Sequence, residues 1–202
     1  MLDRLRDRPA AALDLDTYLA DYRREYAGGG VTWKLDRLQT LRKPGDPSWE
    51  AFAAGDWARA RELTEKDRPR ADAMAAKGGE AGTETRRIRV VEHPVSPYLQ
   101  WEMQFLRMLA EAGQQIRVVA AAQVGRWEHE RILPEVVAVA DRALYLVRHD
   151  SSGKAFGAWR IGDRDVISSS LIELDALFRA GEPLLEYFHR EIAPLPPPLI
   201  HP

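Results

Sequence analysis

Arg86-Arg87-Ile88-Arg89-Val90-Val91-Glu92-His93-Pro94-Val95-Ser96-Pro97-Tyr98 changes period part-way along, and that change decides the fold. Over 86–92 side chains alternate, with Ile88 and Val90 on one face and Arg87 and Arg89 on the other, which is the two-residue period of a strand. Ser96 and Pro97 then make a helix start, because the serine hydroxyl caps free N–H groups and proline lacks a donor where none is needed. The helix presents Tyr98, Trp101, Phe105 and Leu109 at helical spacing and stops at Gly113. Beyond it, 116–122 is apolar apart from Arg117, as expected of a central strand whose neighbours both come from the second half of the chain.

Working towards the C-terminus, short strands are predicted at 136–140, 143–148 and 155–161. Asp141-Arg142 and Asp150-Ser151-Ser152-Gly153 form the turns of an antiparallel meander. A helical region follows with Leu171, Ile172, Leu174, Leu177 and Phe178, and Ser168-Ser169-Ser170 reads as its capped start. Gly181-Glu182-Pro183 breaks it before a short helix bearing Leu184, Leu185, Tyr187 and Phe188. The tail, with Pro194, Pro196, Pro197 and Pro198, is expected to be extended polyproline II and frayed.

Towards the N-terminus, a helix over 14–26 places Leu15, Tyr18, Leu19, Tyr22 and Tyr26 on one stripe, read as packing surface, and Gly28-Gly29-Gly30 ends it. Val31, Trp33 and Leu35 alternate with Thr32, Lys34 and Asp36 as in a half-buried strand. Asp46-Pro47 starts a helix with Trp49 and Phe52 facing inward, and a second helix spans 56–67. The Ala-, Gly- and charge-rich stretch 68–85 reads as a mobile connection. The fold class is α+β: a mixed sheet with an antiparallel meander in the C-terminal half, flanked by helices. A helical N-terminal extension (1–30) precedes a single α/β domain (31–192), and a proline-rich tail (193–202) follows.

Across 202 residues, 29 basic and 31 acidic side chains nearly cancel, which argues against direct binding to nucleic acid or an anionic membrane. The chain has no cysteine, so disulfides, thiolate metal sites and a cysteine nucleophile are excluded. Met1-Leu2-Asp3-Arg4-Leu5-Arg6 is charged rather than apolar, and no apolar run reaches the roughly 20 residues of a membrane span. A cytoplasmic location is expected.

Candidate chemistry is sparse. His93, His129, His149, His189 and His201 form no ligand pair, and Glu128-His129 lacks the second histidine of a metalloprotease helix. No metal or other cofactor is called for. Gly28-Gly29-Gly30 precedes a strand and lacks the Lys-Ser/Thr of a phosphate loop. The densest polar constellation joins Arg87 and Arg89, whose guanidinium forks suit a phosphate or carboxylate, to Ser96, Tyr98, Trp101 and Glu102 at the following helix N-terminus. The competing reading makes the arginines a solvated face, paired with Glu102.

The same stretch carries a resemblance. Arg86-x-x-Arg89-Val90-Val91, Ser96-x-Tyr98 and Trp101-Glu102 resemble an uncharacterised actinobacterial family, domain of unknown function number 6879. Trp33-Lys34-Leu35-Asp36, Trp49 to Gly55 and Ala112-Gly113-Gln114-Gln115-Ile116-Arg117 fit it as well. The resemblance implies a regulatory role beside a helix-turn-helix regulator or another protein partner. The C-terminal half is also similar to a degenerate phospholipase-D-like half-domain. Active members of that group carry His-x-Lys followed by Asp, whereas here His149 is followed by Asp150 and Ser151, with Lys154 too far along. The expected function is a non-catalytic regulatory or interaction protein sensing a small anionic ligand; the alternative is an enzyme acting on phosphoesters or nucleotides.

Overall fold

A computed structural model describes residues 1–200; His201 and Pro202, the end of the expected proline-rich tail, lie outside the described residues. After a 3-10 turn at Leu2–Asp7, the elements are β1 (Ala11–Asp14), α1 (Leu15–Tyr26), β2 (Gly30–Asp36), α2 (Pro47–Ala53), α3 (Trp57–Lys66), α4 (Arg68–Glu80) and β3 (Thr83–Val91). Then come α5 (Pro97–Glu111), β4 (Gln115–Ala120), β5 (Val136–Val139), β6 (Ala143–His149), β7 (Ala155–Ile161), α6 (Arg164–Ala180), β8 (Glu182–Pro183) and α7 (Leu184–Tyr187).

All eight strands form one mixed sheet in the order β1-β7-β6-β5-β2-β3-β4-β8. β2, β3 and β4 run parallel, and every other pairing is antiparallel. The meander β5-β6-β7 has the turns expected of it: Asp150 Oδ1 accepts from the Ser152 and Lys154 N–H groups, which closes the second turn. β4 has β3 and the two-residue β8 as neighbours, so it is the penultimate strand rather than a central one. Its apolar run reflects cover on both faces, which a near-edge strand also receives when helices lie above and below it.

The first thirty residues, expected as a helical extension, are built into the domain. Leu2 and Leu5 are fully buried in the main core, and β1 forms the sheet edge against β7. A Cβ at Gly157 would lie 2.2 Å from the Leu13 carbonyl oxygen, so only glycine lets these two strands meet. The stretch expected to be mobile is largely α4. Its alanine and charged residues favour helix, and Pro69 opens the helix instead of breaking it. α6 is capped by Asp163, which accepts from Asp165 and Val166, so the serine triplet lies inside the helix and Ser170 bonds back to the Val166 carbonyl. The tail is tied down as far as Ile200: Gln100 donates to the Pro196 carbonyl at 2.9 Å, and Ile200 packs against the cluster that contains Trp49, Tyr98 and Trp101. Among the described residues no helix is long and apolar enough to cross a membrane.

The sheet faces divide the chemistry. On one, Trp33, Leu35, Ile88, Val90, Val136, Ala138, Leu144 and Leu146 pack under α6 and the N-terminal turn. On the other, α5 and α7 cover β3 and β4 through Leu99, Met103, Leu106 and Leu184, while α1 covers β5–β7 through Tyr18. Between these two patches of cover, β2 and β3 present half-buried Lys34, Asp36 and Arg87.

Candidate functional site

The predicted site divides in two. Arg89 is 0% exposed, so it is not part of a solvated face. Its Nε lies 2.7 Å from Glu102 Oε2, an ion-pair distance without the alignment of a hydrogen bond. Nη1 donates to the Asp36 carbonyl at 2.9 Å, and Nη2 donates to the Leu38 carbonyl at 2.6 Å. Tyr98 donates its hydroxyl proton to Glu102 at 2.8 Å, and burial together with that carboxylate drives its pKa upward. Trp101 donates to Ser48 Oγ at 2.9 Å, under α2. Ser96 caps α5 by accepting from Leu99 N–H and donates to the Gln39 carbonyl. Arg89, Tyr98, Trp101 and Glu102 thus join α5 to β3 and α2: the polar groups of Arg89, Tyr98 and Glu102 meet one another, and the Trp101 N–H meets Ser48. The helical spacing of Tyr98 and Trp101 indicated burial correctly, but this stripe faces α2 and α3, while Leu99, Met103 and Leu106 face the sheet.

Arg87 behaves differently. It is paired across the strands with Lys34, as Arg89 is with Asp36. Its guanidinium donates to Asp36 Oδ2 at 2.7 Å and to Gln114 at 3.2 Å, from a half-buried position. The Lys34 ammonium makes neither a hydrogen bond nor an ion pair among the described residues; it lies 5.6 Å from the centroid of the Tyr22 ring. Burial, followed by the neighbouring Arg87 and Lys43 charges, lowers the Lys34 pKa to about 8. Burial alone would raise Asp36, but Arg87, Arg89 and Lys34 outweigh it and hold the carboxyl below its ordinary range. Lys43, on the loop after β2, is within electrostatic reach of Lys34, Asp36 and His149. Burial and Lys43 together lower the pKa of His149, at the end of β6.

Glu135 closes one end of this row. It is buried just before β5, and its Oε1 accepts both the Arg37 and Leu38 N–H groups where β2 ends. Burial and the adjacent Asp36 push its pKa up to about 7, against the opposing pull of Arg89. Chemically, the row offers two uncommitted ammonium groups, one partly committed guanidinium and an imidazole around a single ionised carboxylate. That combination favours an anion.

Lys34, Asp36, Lys43, Glu135 and His149 were absent from the sequence-derived site. The alternation of Thr32, Lys34 and Asp36 signalled a polar face, and nothing local indicated that β5, β6 and a loop converge on it.

The fold is phospholipase-D-like. The chain is similar to Nuc, a phospholipase D family member from Salmonella typhimurium, with a TM-score of 0.50 and 8% identity over 87% of this chain and 97% of that one. The likeness therefore extends well beyond the C-terminal half. TrmBL2, an archaeal chromatin protein, matches with a TM-score of 0.45 and 8% identity, over 87% of this chain and 53% of that one. No curated protein matches the sequence. Residues 17–189 match the family described as Domain of unknown function (DUF6879), and the chain belongs to that family.

Proposed function

We propose that the protein is a non-catalytic regulatory or interaction protein that binds a small anionic ligand over Lys34, Arg87, Lys43 and His149 and passes that signal to a protein partner, such as a transcriptional regulator. The observation that carries this reading is Lys34: a half-buried ammonium 5.6 Å from the Tyr22 ring centroid and in ion-pair contact with no carboxylate among the described residues, its pKa lowered first by burial and then by Arg87 and Lys43 against the opposing pull of Asp36. A cation held in that state gains stabilisation from an incoming anion, because a charge-assisted contact in a partly desolvated site is stronger than one in water. Arg89 and the α5 N-terminus, the expected docking point, are occupied by Glu102, Tyr98 and Ser96 and do not contribute. A cytoplasmic setting, without direct contact to nucleic acid or membrane, accords with the near-neutral charge balance.

The alternative, an enzyme acting on phosphoesters, has one observation in its favour: His149 lies within electrostatic range of Lys43 and Asp36. Titration calorimetry with sulfate and pyrophosphate tests the binding reading. Binding is expected in the wild type, and Lys34→Met is expected to weaken it by at least about tenfold, or 1.4 kcal/mol. Equal affinity in both proteins contradicts the proposed site. Turnover of a chromogenic phosphodiester that is lost in His149→Ala favours the enzyme.

A further inference from the structure

We infer that anion binding at Lys34 and Arg87 is coupled to uptake of a proton by the adjacent Asp36 and Glu135 carboxyl pair, so that the site holds a small anion more tightly in mild acid. This rests on the reading of the site as an anion-binding one.

The geometry carries the argument. Asp36 ends β2 and Glu135 immediately precedes β5, the strand that pairs antiparallel with β2. Two carboxyl groups placed side by side resist ionising together. Asp36 is the one held ionised, through Arg87 at 2.7 Å. The charged groups facing Glu135 are Asp36 from β2, Arg89 from β3 and, at longer range, Arg6 from the N-terminal turn. Arg89 divides its charge between this pair and Glu102, so it does not fully neutralise Glu135. Both backbone N–H groups converge on Oε1 of Glu135, which leaves Oε2 to carry a proton without disturbing the end of β2.

An anion arriving at Lys34 and Arg87 competes with Asp36 for their positive charge. The field around Asp36 then becomes more negative, and ionised Glu135 becomes less favourable. Binding therefore raises proton occupancy at Glu135 and, by reciprocity, protonation strengthens binding. Burial and Asp36 push the Glu135 carboxyl up to about 7, which places the response in the physiological range. Lys34, lowered to about 8, and His149, lowered by burial and Lys43, face the same anion, so the test must separate them from Glu135.

Sulfate is a suitable probe because it does not itself titrate here. Its affinity is measured calorimetrically at pH 6, 7 and 8, in buffers of differing ionisation enthalpy that report the protons taken up. The wild type is expected to bind at least about fivefold more tightly at pH 6 than at pH 8, with proton uptake at pH 7. Glu135→Gln keeps an oxygen to accept the two N–H groups and mimics the protonated acid. It is expected to take up fewer protons at pH 7 than the wild type and to retain only the pH dependence imposed by Lys34 and His149. Uptake that is identical in both proteins, or absent in the wild type while sulfate binds, overturns the coupling. Failure of sulfate to bind at any pH overturns the coupling and the anion-binding reading together. Absence of wild-type uptake while sulfate binds overturns the coupling even if the variant does not fold.

Discussion

Arg89 and Arg87 stand two residues apart on one face of β3, yet they belong to different kinds of structure. Arg89 is enclosed by Glu102, the Asp36 and Leu38 carbonyls and the body of α5. Arg87 shares one carboxylate with neighbouring cations at the gap between α1 and α5. The difference lies in cover. A fully enclosed charge survives only if its partners are complete, whereas a half-buried one can remain short of partners because water, or a ligand, completes them. Incomplete pairing therefore marks the half of the row on which the proposed anion site rests.

The largest expected effect lies on the enclosed side. Arg89→Met leaves Glu102 buried without its counter-charge and two carbonyls without donors, which should cost about 3–5 kcal/mol in denaturant unfolding. A change below about 1 kcal/mol would mean that Arg89 is no more structural than Arg87, and the comparison would fail. Trp101→Ala removes the indole stacked 5.8 Å from Phe52 and its bond to Ser48, for about 3–5 kcal/mol. Phe105, on the same stripe, is only half-buried, so Phe105→Ala should cost clearly less by the same measurement.

Glu135 provides an intermediate test through pH. Its pKa in the folded protein, about 7, lies above the ordinary 4.5, so the folded state binds the extra proton between those values. The stability it contributes is full below about 4.5 and is lost as pH rises through 7, at a slope of up to about 1.4 kcal/mol per unit. Subtracting the Glu135→Gln profile from the wild-type profile over that window should isolate the slope. Lowered carboxyls remote from Glu135, such as Asp21, contribute with the opposite sign and cancel in the difference. A flat difference would place Glu135 outside the coupled row.

The smallest effect is expected at Lys34. Its lowered pKa means that the folded state disfavours its charge, a cost present at pH 7 that fades as pH rises through 8. Lys34→Met keeps the aliphatic stem, so thermal unfolding at pH 7 should show no loss, or a gain on the order of 1 kcal/mol after allowing for solvent screening. A marked destabilisation would make Lys34 a structural residue like Arg89.

The elements legible in the sequence were those with a strong local signal. Asp14, Asp46 and Ser96 cap their helices as their residue types indicate, and the meander turns close on Asp150 and Gly153. α4 was missed because Pro69 and two glycines read as breakers, although proline in the first turn costs little. In the candidate site, Arg87 was legible through strand alternation, and Arg89 shared that signal with the opposite outcome. Alternation states which face a side chain leaves from and is silent about what covers that face.

What the sequence determined by itself is therefore the set of local periods and caps: a strand at residues 86–92, the Ser96-capped helix that follows it and stops at Gly113, a meander at 136–161, and a polar face on β2. What only the tertiary structure decided is the order of the strands, the enclosure of Arg89, and the meeting of Lys34, Asp36, Lys43, Glu135 and His149. Local spacing governs backbone hydrogen bonding within a few residues. By contrast, β2 meets β5 across about a hundred residues of chain, and the electrostatic character of each charge follows from what that distant pairing places beside it.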